Sequence, residues 1–85
     1  MYARTTLVNR LKCRATELAL NVGNVMESRH YGIISDAEAS SLLADLVKAN
    51  KDLVLQEQED PMIKELMRGV RITLLPFTDE PFHAR

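Results

Sequence analysis

The chain has 85 residues, room for one domain, with 46% hydrophobic residues and a formal charge of −1. That apolar content excludes a disordered chain, and the near-zero charge excludes a chain that binds polyanions over its whole surface. Its one cysteine, Cys13, excludes an internal disulfide, and no apolar run approaches the roughly 20 residues of a membrane span.

The first predicted element is a helix over about residues 4–30. Val8, Leu11, Ala15, Leu18, Val22 and Val25 recur at steps of three and four, and Leu7, Ala19 and Met26 widen the stripe. Gly23 interrupts it, at a cost of about 1 kcal/mol relative to alanine, which suggests a bend or a close approach by a neighbouring backbone. Gly32, in Tyr31-Gly32-Ile33-Ile34, is placed to end the helix with a positive φ.

Ser35 with Glu38 makes a capping box that opens a second helix, predicted over about 36–59. Ala39, Leu42, Leu46, Ala49 and Leu53 form its stripe, with Leu43, Val47 and Val54 beside it. Lys48 can pair with Asp45 and Asp52 along the polar side. The turn between the two helices is too short for anything but an antiparallel hairpin. The second helix fades through Gln56-Glu57-Gln58-Glu59 and stops before Pro61.

Asp60-Pro61 reads as a cap followed by proline at the first helical position, opening a third helix over about 61–75. Met62, Ile63, Leu66, Met67, Val70 and Leu74 keep helical spacing. Gly69 leaves the alternative of a strand from Val70 to Leu74, but such a strand has no partner in the chain. Residues 76–85 form an extended tail carrying Phe77 and Phe82, and Phe77 is expected to fold back over the bundle end. The fold class is therefore all-α: a small three-helix bundle over residues 1–75, built on an antiparallel helical hairpin. Alanines at 15, 19, 39 and 49 bury little area, which leaves room for a homodimer to complete the core.

Charge is distributed unevenly. Residues 1–16 carry Arg4, Arg10, Lys12 and Arg14 and no acid, whereas residues 35–60 carry seven acids against Lys48 and Lys51. A basic start and an acidic middle suit two antiparallel helices. Motifs for chemistry are missing from this pattern. His30 and His83 are far apart, Cys13 has neither beside it, and Gly23, Gly32 and Gly69 are too scattered to cradle a phosphate. We expect no enzyme activity, no metal and no cofactor. Arg10 and Arg14 lie one turn apart and can face phosphates, but a groove-reading second helix should be basic and this one is acidic.

Within residues 34–51, Ile34-Ser35, Ala39-Ser40, Leu46 and the run Lys48-Ala49-Asn50-Lys51 resemble a helical segment of some small phage-borne anti-CRISPR inhibitors. The resemblance covers about 18 residues. It implies a non-enzymatic inhibitor from a phage or mobile element that sits on a larger host protein complex, a CRISPR surveillance complex, and blocks nucleic-acid binding or nuclease docking. Lys48, Asn50 and Lys51 would then be partner contacts, with Arg10 and Arg14 beside them in the hairpin. The alternatives are a nucleic-acid-associated regulator using the basic start, or a helical assembly subunit. The lone cysteine and the absence of an apolar leader core point to a soluble, cytoplasmic protein.

Overall fold

A computed structural model of the chain describes residues 2–78, with side chains from residue 6 onward. It is all-α. Helix α1 spans Tyr2–His30, α2 Asp36–Ala49, α3 Lys51–Leu55 and α4 Pro61–Leu74, and a 3-10 turn follows over Leu75–Phe77. At about 1.5 Å per residue, α1 accounts for most of the 46 Å long axis. The other helices fold back along it, α4 and α2 most closely.

Both local punctuation marks form as their chemistry dictates. Gly32 has φ 74°. Its amide donates to the Arg29 carbonyl at 3.1 Å and the Ile33 amide to Ser28 at 2.8 Å, the pair of bonds that satisfies orphan carbonyls at a glycine-ended helix. Three residues later the Ser35 hydroxyl accepts from the Glu38 amide at 3.1 Å, and the Glu38 carboxylate accepts from the Ser35 amide at 2.9 Å. A closed helix end thus meets a closed helix start, and the hairpin angle is set locally. Tyr31 and Ile33 stay exposed at its tip.

The expected second helix is not continuous. Asn50, at φ −133° and ψ 38°, ends α2 and begins α3. Its side-chain amide donates to the Leu46 carbonyl at 3.0 Å, the kind of local bond by which asparagine competes with helical continuation. The break has a packing reason. Ala39, Leu43 and Val47 are the buried line of α2, so the face is rotated from the stripe of Leu42 and Ala49, both of which are exposed. In an unbroken helix Val54 would lie close to that buried line, but Leu53 would point about 80° away from its centre. After the break, Leu53 and Val54 are both fully buried. Helix α3 ends at Leu55, short of the expected 59, and Gln56 is extended.

Helix α4 runs through Gly69, and the strand alternative is set aside. Ile63, Met67, Val70 and Leu74 are buried at helical spacing, while Ile72, which a strand would have put with Val70 and Leu74, is 70% exposed. Met62, expected in the stripe, is also exposed. The core joins these α4 residues to Ala15, Leu18 and Val22 of α1, Leu43 and Val47 of α2, and Leu53 and Val54 of α3. Phe77 packs against its edge, as expected. Pro76 and Phe77 sit in the 3-10 turn and not in an extended tail, and Thr78 closes that turn by donating its hydroxyl to Leu75 at 3.0 Å. The rest of the expected tail, including Phe82 and His83, lies outside the described residues. Gly23 is exposed in an uninterrupted α1, and an added Cβ there would meet nothing within 4 Å. The close approach by a neighbouring backbone expected at that glycine does not occur.

Candidate functional site

Of the residues expected to contact a partner, Arg14 and Asn50 meet at the α2–α3 corner. Arg14, on α1, is the centre. Its two terminal nitrogens donate to the two Asp52 oxygens, each at 2.8 Å, and Nη2 also reaches the Asn50 side-chain oxygen at 3.4 Å. Asn50 is thereby held on both sides, by Arg14 through its oxygen and by Leu46 through its nitrogen. Lys48 is exposed on the last turn of α2 and Lys51 is exposed at the start of α3. Arg10 is exposed one turn before Arg14 on α1. The corner is thus a half-buried asparagine braced from α1, with lysines on either side of it.

Asp52 is the residue whose role the sequence reading missed. Its spacing suits Lys48 on the same helix, yet it takes Arg14 from 38 residues away. The signal was present in bulk, as a basic start facing an acidic middle, but nothing local singles out this pair. Arg71 was also missed. It lies on α4 and its Nε donates to the Val54 carbonyl at 2.7 Å, which satisfies an orphan carbonyl at the end of α3. Together Arg14 and Arg71 tie the short α3 to both of its long neighbours.

The Asp52 carboxyl is held below its ordinary value, first by the Arg14 hydrogen bonds, with partial burial opposing and the Arg14 charge and nearby backbone amides assisting. The same hydrogen bonds hold the Arg14 guanidinium above its ordinary value, against a smaller effect of burial. A carboxyl with a lower pKa in the folded chain than in the unfolded one stabilises the fold above the unfolded value. That contribution is lost as pH falls through the folded one. The Arg14 and Asp52 side chains are 36% and 48% exposed, so screening keeps the bridge under about 1 kcal/mol. Arg14→Ala should therefore lower stability modestly at pH 7 and by less at pH 2.5. Urea unfolding of both proteins at the two pH values measures this, and an equal gap at both would exclude the bridge as its source.

Among the described residues, no three His, Cys, Asp or Glu side chains converge as metal ligands. Cys13 is exposed on α1, and His30 stacks edge-on to Tyr31 with centroids 5.1 Å apart. No described helix is long and apolar enough to cross a membrane. The architecture and the braced corner define a small all-α bundle with a polar, mainly cationic corner on its surface. No protein-family model, curated protein or solved structure matches the chain.

Proposed function

We propose that this chain is a non-enzymatic protein-binding inhibitor of a phage or mobile element, acting in the cytoplasm on a larger host complex, with a CRISPR surveillance complex as its target. The observation that supports this reading is where the helix breaks. Lys48-Ala49-Asn50-Lys51, the most distinctive part of the resemblance, falls on the α2–α3 corner, and that corner is cross-braced to α1 through Arg14. A recognition surface gains from such bracing because less side-chain freedom is lost on binding. Lys48 and Arg10 supply exposed charge to engage an acidic or polar partner surface. Nucleic-acid binding is less well supported, because Arg14 already has its charge matched by Asp52.

The test is capture of the tagged protein from a nuclease-treated lysate of cells with an active CRISPR system, followed by affinity measurement on the purified surveillance complex. Stoichiometric recovery of its subunits is expected, with at least about a tenfold loss of affinity in an Arg10→Glu, Lys48→Glu double variant. Arg14 is left intact in that variant so that the corner keeps its brace. Undiminished binding by the double variant would remove this face from the reading, and recovery of no surveillance subunits would remove the target.

A further inference from the structure

A groove of about 620 Å³ runs between the N-terminal half of α1 and the segment that joins α3 to α4. Leu7, Val8 and Leu11 of α1 and Ile63 of α4 supply its apolar lining, and Glu57, Glu59 and Asp60 supply acids. None of the described lining residues is a lysine or arginine. Leu7, which the sequence pattern assigns to the core stripe, is instead 55% exposed here.

The three acids are not equivalent. Glu57 is held by Lys64 at 3.5 Å. Asp60 is occupied in capping α4, where its carboxylate accepts from the Met62 and Ile63 amides. Glu59 is exposed, and no described residue engages it. On α1, Arg10 stands about 60° around the helix from Leu7. It too is exposed and engaged by no described residue.

Among the described residues, the patch therefore has exposed Leu7 at its centre, an idle cation on its helix side and an idle acid on its linker side. Such a surface is complementary to itself. A two-fold axis through the centre would set the cation of each copy against the acid of the other, the arrangement of an isologous dimer. We propose that this groove seats a second copy of the chain, with Leu7 of both protomers at the two-fold centre and Arg10 of one protomer against Glu59 of its partner. Burial of Leu7 supplies the apolar gain, and the two symmetry-related charge pairs set the register. This inference does not rest on the inhibitor reading, and Lys48 lies outside the groove.

Sedimentation equilibrium of the full chain between about 5 and 300 µM, in low salt and in 0.5 M salt, tests it. A dimer that loosens with salt is expected. Leu7→Glu, Arg10→Glu and Glu59→Arg should each weaken association at least tenfold, and Lys48→Glu should not change it. The double swap Arg10→Glu, Glu59→Arg should return association to within a few-fold of the parent, because each reversed charge again meets its opposite. Leu7, Arg10 and Glu59 are all exposed, and circular dichroism melts establish that each variant is folded. A chain that stays monomeric to 300 µM overturns the proposal. That result is also the one expected if residues 79–85 or a basic segment of another protein occupy the groove instead. A dimer indifferent to Leu7→Glu, or one not restored by the swap, overturns it equally.

Discussion

Leu53→Ala should lower the stability of the domain by about 3 kcal/mol and its melting temperature by roughly 10–20 °C. The size follows from the helix that carries the residue. A five-residue helix has no stability of its own, since nucleation alone outweighs what so few hydrogen bonds return. Helix α3 is held in place by the fully buried side chains of Leu53 and Val54, the Arg71 bond to the Val54 carbonyl and the Arg14 bridge to Asp52. Truncating Leu53 removes apolar burial and opens a cavity at the point where α3 meets the core cluster. A domain of this size has a total stability of roughly 4–13 kcal/mol, so the change takes a large share. Urea unfolding followed by circular dichroism gives the value. A loss below about 1 kcal/mol would mean that the site collapses around the cavity and that α3 is held chiefly by its polar ties.

Asp60→Ala should cost about 1–2 kcal/mol, the upper part of the range for a helix N-cap, because one carboxylate oxygen accepts from two backbone amides. Those bonds are 2.9 Å to the Met62 amide and 3.2 Å to the Ile63 amide. Pro61 at the first helical position brings no amide to satisfy, so this single side chain serves the remaining first-turn donors it can reach. Asp60→Asn separates the cap from the charge. Its side-chain oxygen can keep the bonds, and a loss of only a few tenths of a kcal/mol is expected. Thermal melts of the two variants side by side make the comparison. Equal losses in both would assign the effect to charge at the helix start and not to hydrogen bonding.

Much of the fold is legible in the residues. The end of α1 at Gly32, the start of α2 at Ser35 and the start of α4 after Asp60 each depend on bonds spanning no more than about five residues, so their chemistry is written locally. The apolar spacing of α1 and α4 likewise implies their buried faces. The second helix is where local reasoning fails. Its residues contain two overlapping apolar stripes, and spacing alone favours Leu42, Leu46 and Ala49. Packing against α1 and α4 selects Ala39, Leu43 and Val47 instead, and after the Asn50 break Leu53 and Val54 are buried as well.

The candidate site divides in the same way. Sequence identifies Arg10, Arg14, Lys48, Asn50 and Lys51 as polar residues of two antiparallel arms. It does not distinguish Arg14, which bridges to Asp52, from Arg10, which is exposed one turn away. It also assigns Leu7 to the core, because helical periodicity reports which face a residue lies on and not whether another element reaches that far along the helix. By itself, then, the sequence determined the helical class, the hairpin, the end of α1 and the starts of α2 and α4, because those are decided by neighbours in the chain. The corner at Asn50, the Arg14–Asp52 brace and the groove beside Leu7 were decided only by tertiary structure. Each depends on contacts between segments some 35 to 55 residues apart, which only the packed core brings together.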